Sequence, residues 1–195
     1  MKPQEKKRMF ENPVLEFFSK SGPILMISFH LTLITGLLVI SNYNFGNPFI
    51  HWGYFIAGFM LWTLAEYFLH RKLFHIVSSK KMIISFQFAL HGHHHENPSD
   101  SSHLFMPPLP ALIFLSLFGC VFYLFVRHFC FILLAGFDFG YLIYSILHFS
   151  IHRFKAPKIF AGLWKHHLMH HYKTPEKAYG VSSKLWDRVF NTMPK

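Results

Sequence analysis

Carboxylates and thiols are scarce in this chain: nine Asp and Glu stand against nineteen Lys and Arg, with two cysteines among 195 residues. Two cysteines support neither a disulfide framework nor an iron–sulfur site, so Cys120 and Cys130 read as packing residues. The few acids form no Glu-x-x-His pair, and neither HExxH nor GxSxG occurs. Those absences remove the soluble di-iron carboxylate, zinc-protease and serine-hydrolase readings. Charged residues of both signs make up only 14% of the chain, whereas 52% is hydrophobic and Phe alone occurs 25 times. That balance is too apolar for an ordinary soluble domain.

Apolar runs of about 19 residues, enough to cross a ~30 Å hydrocarbon layer, occur at 24–42, 50–69, 109–126 and 129–147. The segment before the first run carries acids as well as lysines, and no small-residue cleavage site follows the run. It therefore reads as a mature spanning helix and not a signal peptide. Lys2, Lys6, Lys7, Arg8 and Lys20 precede the first run, Arg71, Lys72, Lys80 and Lys81 lie between the second and third, and nine more basic residues from Arg153 to Lys195 follow the fourth. Only Arg127 falls on the opposite side, so 18 of the 19 basic residues mark one face as cytosolic. The pattern predicts an all-α integral membrane fold with four transmembrane helices in two hairpins and a cytosolic helical cap. Its parts are a cytosolic segment 1–22, a hairpin 24–69, a histidine-bearing segment 70–108, a second hairpin 109–147 and a second histidine-bearing segment 148–195, forming one membrane domain. The net charge of +10 then reflects topology and anionic headgroups, not nucleic-acid binding.

Histidine is abundant, with sixteen residues. Ten fall into four groups: His70 and His75; His91, His94 and His95; His148 and His152; His167, His170 and His171. Neutral imidazole is the commonest protein metal ligand, and residues three to four apart share a helix face, so each group reads as one side of a metal cage. Ten nitrogens are too many for one ion and suit two, which predicts a dinuclear centre. The groups also look duplicated, spanning 25 residues in one half and 23 in the other, so two halves giving five ligands each would close around the metal pair. His70 and His75 are i, i+5, a spacing that predicts an end or bend of the second span between them.

The other histidines read differently. His30, His51 and His128 have no partner at ligand spacing, and His93 and His166 lie off the ligand face, suited to solvent or to a hydrogen bond behind a ligand. His103 belongs to the loop before Pro107 and Pro108, with no role assigned by spacing. Glu66 lies one turn before His70, where it would hydrogen-bond a ligand. Asp138 falls inside a span and is a functional candidate by its depth, without a partner that sequence can name. Trp186 and Asp187 lie in an apolar carboxy-terminal segment placed to cap the site. Histidine-only ligation accepts iron, zinc, copper or nickel alike.

The stretches Glu66–His75, His91–Pro98 with Asp100, His166–Tyr172 and Gly180–Asp187 resemble the fatty acid 2-hydroxylases of the sterol desaturase and fatty acid hydroxylase superfamily, over about residues 60 to 193. The resemblance implies an O₂-dependent membrane monooxygenase with two iron ions at the ten histidines, zinc being possible as purified. Two external electrons would enter, and carbon 2 of a long fatty acid or sphingolipid acyl chain drawn from the bilayer would be hydroxylated. Glu66, Asp187 and Tyr144 are candidates for orienting the ligands. The chain departs from the family where Tyr144 is followed by Ser145 instead of aspartate, and where His103 replaces the usual arginine. No cytochrome b5 domain precedes the first run, so a separate cytochrome b5-like or ferredoxin-like protein with its reductase is the expected electron donor. The expected location is the endoplasmic reticulum in a eukaryote or the inner membrane in a bacterium, with the site facing the cytosol. Sterol or carotenoid oxidation is the near alternative, and a divalent-metal transporter is the alternative from another class. Transporters, however, place ligands near the bilayer midplane.

Overall fold

Prolines at the first helical position, where a missing N–H costs nothing, open three of the four long helices: α2 (Pro23–Asn44), α3 (Pro48–Phe68) and α6 (Pro108–Val126). A short α1 (Pro13–Ser19) comes first, with the Asn12 side chain capping the N–H groups of Val14 and Leu15. The fourth long helix, α7 (Cys130–Arg153), follows α6 through a tight 3₁₀ turn, Arg127–Phe129, entered with Arg127 at φ 51°. In this computed structural model the described residues are 8–44 and 48–194, without the side chains of 42–44. Lys2, Lys6, Lys7 and Lys195, read above for charge, lie outside them, as do residues 45–47.

α7 is the axis of the molecule, packing most extensively on α3, then on α2 and α6. Its contact with α3 depends on glycine. A Cβ at Gly136 would stand 1.9 Å from the Phe55 carbonyl oxygen, and one at Gly58 would stand 2.0 Å from that of Leu133. Small residues let membrane helices approach backbone to backbone, where dispersion, not water exclusion, holds them. Trp62, Leu115, Phe137 and Tyr141 fill the neighbouring core. Outward the pattern inverts: Ile24, Leu109, Leu117, Leu124 and Phe125 are all more than half exposed. Two stretches, Pro23–Ser41 and the 46-residue Pro108–Arg153 interrupted by its turn, are long and apolar enough to cross a bilayer. With that outward apolar surface, the chain is a membrane protein.

All regular structure among the described residues is helical. The helix continues past the apolar run that closes at 147 to Arg153, carrying His148 and His152 on its emerging end, and Ile151 packs into a cluster with Trp164 and Val181. Asp138, left without a partner by sequence, bonds His30 of α2: Nδ1 and Oδ1 are 2.7 Å apart and both residues are at most 1% exposed. His30 is therefore not an isolated packing residue. A polar side chain in an apolar interior is kept by a partner, and here the partner is 108 positions away.

Candidate metal centre

After Phe68, α3 runs into a π-helical turn, Leu69–Phe74, whose i→i+5 hydrogen bonds make five residues about one turn, and the helix ends there with His75 as its C-cap, between the two histidines as their spacing suggested. His70 and His75 are thereby stacked on one side, ring centroids 5.1 Å apart. A second π turn, Phe88–Gly92, follows α4 (Lys81–Gln87) and presents His91, and α5 (His93–Glu96) carries His94 and His95. The end of α7 carries His148 and His152, and α8 (Ala161–Tyr172) carries His167, His170 and His171.

The structure brings the ten together as two groups of five, but not one per half. His70, His75, His91, His95 and His170 form one group, and His94, His148, His152, His167 and His171 form the other, with the donor atoms of each within 4.8 Å of one another. His94 and His170 have crossed. At 100° per residue, the third and fourth positions after His91 or His167 diverge by about 100° and cannot face the same point. The groups abut, His95 stacking on His171 with ring centroids 4.2 Å apart.

Within the groups Nε2 atoms approach Nε2 atoms: His70 and His95 each come to 3.0 Å from His91, His75 to 3.0 Å from His170, His152 and His171 to 3.0 Å from His167, and His94 to 3.1 Å from His171. Two donors about 2.1 Å from an ion and at right angles around it would stand about 3 Å apart, so the spacing fits ligation. Burial holds His75 and His95 down at about 4 and His170 at about 3. Burial, reinforced by neighbouring imidazoles, takes His91, His94, His167 and His171 below the ordinary histidine range. Ten neutral rings thus crowd together, and His148 Nε2 is buried without a hydrogen-bond partner. An ion satisfies such a lone pair, and the donor set fits a metal cofactor.

A carboxy-terminal strap sets two of the tautomers. His70 Nδ1 donates to the Tyr179 carbonyl at 2.5 Å, and His170 Nδ1 donates to the Lys177 carbonyl at 2.7 Å. A carbonyl only accepts, so the proton sits on Nδ1 and the Nε2 lone pair faces inward. Asp187, fully buried in α9 (Leu185–Val189), accepts the N–H groups of Tyr179 and Gly180 together with the Thr192 hydroxyl, and burial opposed by these bonds leaves its pKa lowered. Glu66 does not bond a ligand, correcting the expectation; it accepts the N–H groups of Val181 and Ser182 and the Ser182 hydroxyl. These two adjacent backbone donors, with the hydroxyl, hold it instead of an imidazole. Gly180 has no space for a Cβ, which would stand 2.0 Å from the Ser183 carbonyl oxygen.

The remaining candidates sort by position. His166 bonds Asp187 at 2.9 Å, outside both groups. Trp186 donates to the Thr63 hydroxyl at 3.1 Å, tying α9 to α3. His93 is buried beside His103, not exposed, and both lie outside the two groups. Ser145, standing where aspartate was expected, bonds the Tyr141 hydroxyl. Tyr144 stands with its ring centroid 5.5 Å from that of His148, on the wall of a cavity of about 370 Å³. Phe74, Phe86, Phe105, His91, His94 and His148 share that wall, so the cavity connects apolar surface to members of both groups. Sequence reasoning missed the Tyr179 and Lys177 carbonyls, because a backbone acceptor leaves no mark in residue type; Gly180 was the one available signal.

Comparison with known proteins agrees with this arrangement. Residues 55–192 match the family model described as fatty acid hydroxylase. A dihydroceramide fatty acyl 2-hydroxylase of Arabidopsis thaliana is 35% identical over 193 residues, which cover 97% of this chain and 81% of the plant protein. A fatty acid 2-hydroxylase of Rattus norvegicus is 33% identical, the match covering 95% of this chain and 56% of the rat protein, so the chain spans about half that relative. The solved structure of full-length scs7p, in which only the hydroxylase domain is visible, superposes with a TM-score of 0.89 at 33% identity, over 95% of this chain and 71% of that one.

Proposed function

The chain belongs to the fatty acid hydroxylase family of oxidoreductases, and from that premise we propose that it hydroxylates carbon 2 of a long fatty acyl chain, free or carried on a sphingolipid, using O₂ and two external electrons. The observation that carries this reading is the meeting of two five-histidine groups with one apolar cavity. His70, His75, His91, His95 and His170 would hold one ion and His94, His148, His152, His167 and His171 the other. Iron at both positions would supply the redox chemistry that an unactivated C–H bond requires and no side chain here provides, and zinc fits the same all-nitrogen donor set. The residues do the rest. Phe74, Phe86 and Phe105 take up methylenes and exclude water, and Tyr144 beside His148 limits how the chain passes the histidines.

In the membrane, α2 with α3 and α6 with α7 form two spanning hairpins of one domain. The histidine-bearing segments then lie on the side that carries 18 of the 19 basic residues, the cytosolic side. An acyl chain would rise from the bilayer into the cavity while its polar end stays near water. Electrons would arrive from the cytosol through a separate cytochrome b5-like or ferredoxin-like protein and its reductase. The membrane is the endoplasmic reticulum in a eukaryotic host and the inner membrane in a bacterial one. Lipid mass spectrometry of a host with and without the chain should show a gain of one oxygen at carbon 2. Unchanged acyl pools with altered sterols or carotenoids would overturn the substrate assignment. His94→Ala should abolish the product while the protein still inserts; retained activity removes His94 from the ligand set.

A further inference from the structure

Outside the two histidine groups, His93, Asp100 and His103 bring one donor atom each within 4.8 Å of one another. Local bonding explains why two carboxylates face His103, Asp100 at its Nδ1 and Glu16 at its Nε2. Asp100 uses Oδ1 to accept the Ser102 N–H at 3.0 Å and hydroxyl at 2.5 Å, leaving Oδ2 at 2.7 Å from His103 Nδ1. Glu16 likewise uses Oε2 for the N–H groups of Met9 and Phe10, at 2.9 and 3.0 Å, and points Oε1 at His103 Nε2, 3.4 Å away. The His93 ring lies 4.7 Å from that of His103. Water is nearly excluded: the His103, Asp100 and Glu16 side chains are 2%, 7% and 7% exposed, and His93 is 1% exposed.

We propose that His93, Asp100 and His103, with Glu16 facing His103, form a third cation site for a divalent ion of the zinc class, separate from the dinuclear centre. His93, His103 and Asp100 make a three-ligand N₂O donor set of the kind zinc takes with a fourth position left to water, while Glu16, at the opposite nitrogen of the ring, accepts the His103 Nε2–H behind the ligand. A protonated His103 engages only the two carboxylates, whereas a divalent ion engages His93, Asp100 and His103 together. Lys20, 2.8 Å from Glu16 Oε1 and 46% exposed, can turn out to water; the ion and the two carboxylates then sum to zero charge. The site would join Glu16 of α1 to the loop after α5. Both segments wall the cavity, through Met9, Phe10 and Leu15 on one side and Leu104 and Phe105 on the other. The ion would pin those two walls together.

His103→Arg keeps a cation between the carboxylates but removes a ligand, and His93→Gln removes the second imidazole by an independent route. The full-length chain and both variants, purified in detergent, loaded with Zn²⁺ and desalted, are compared by elemental mass spectrometry. The expected result is three ions per wild-type chain and one fewer in each folded variant. Equal metal content in the wild type and both folded variants overturns the third site whatever the total. Loss of more than one ion from a folded variant overturns its independence from the dinuclear centre. The number of ions remaining in His103→Arg, expected to be two, tests the dinuclear reading separately.

Discussion

Asp187→Asn tests a path that runs from a buried carboxylate, through backbone, to a proposed metal ligand. Asp187 is fully buried and accepts four hydrogen bonds, from Tyr179 N at 3.0 Å, Gly180 N at 2.8 Å, His166 Nε2 at 2.9 Å and Thr192 Oγ1 at 2.7 Å. Asparagine keeps the shape and one acceptor oxygen. With its NH₂ in place of Oδ2 it meets the donors of Gly180 and His166. His166 can change tautomer and accept, but the Gly180 N–H has no second state and is orphaned at about 1–3 kcal/mol. Loss of charge assistance in the remaining bonds adds about 1 kcal/mol, so the strap is loosened by about 2–4 kcal/mol. The Tyr179 carbonyl that fixes the His70 tautomer, and the Lys177 carbonyl that fixes His170, both lie on this strap. Removing such support from a ligand typically weakens metal binding about 10–100-fold. His70 and His170 belong to the same group of five, so one ion should weaken by that factor and the other much less. Zinc competition against a chromophoric chelator, on inserted and purified protein, follows the binding phases of the two five-histidine groups. Wild-type affinity in both phases, or equal weakening of both, refutes the path.

Two further outcomes follow from the buried polar groups. In the metal-free protein, burial depresses His75 and His95 to about 4 and His170 to about 3, against about 6.5 in the unfolded chain. The unfolded state then binds protons that the folded state refuses, so stability is highest above pH 6.5 and falls as pH drops from about 6.5 to about 4. Thermal unfolding of apo-protein in detergent should show that loss, and a melting temperature flat across this window contradicts it. Within the bilayer, Asp138→Leu strips His30 of its partner and should cost about 3–5 kcal/mol; His30→Leu combined with Asp138→Leu should recover most of it. Unfolding in mixed micelles measures the cycle, and a double variant no better than the single one would show that the pair does not act as a unit.

The ten histidines were legible because helical spacing is a local rule: one ion needs donors on one face, and His91, His95, His167 and His171 obey it at i, i+4. Counting five ligands per half did not say which ion each serves, and the 100° step that separates His94 from His95, and so splits each trio between the groups, belongs to the same local rule. The i, i+5 pair marked an end or bend between His70 and His75, and the helix does end at Phe74, but the spacing carried no sign of the π turn that precedes the end. His30 with Asp138, and Glu66 with Val181 and Ser182, lie beyond such rules. Those partners are more than a hundred positions apart, and neither end of the contact carries a local signal. The α3–α7 crossing falls between these cases: Gly58 and Gly136 are plain in the sequence, yet which helices they join depends on topology.

The crossing of His94 and His170 bears on how the centre holds together. Each proposed ion draws four ligands from one half of the chain and one from the other, so neither hairpin with its own histidine segment closes a site alone. Had each half kept its five, metal binding would stabilise the halves separately and leave their contact to the helices. As arranged, the binding energy of both ions bears on the junction between halves, where α5 and α8 offer only short surfaces. The α3–α7 contact needs no such help, since Gly58 and Gly136 seat backbone against backbone. The burden would therefore divide: helix packing orders α3 against α7, and the exchanged histidines would make the region beyond them depend on the proposed ions. A centre built this way would require both halves to be folded before either ion is fully held.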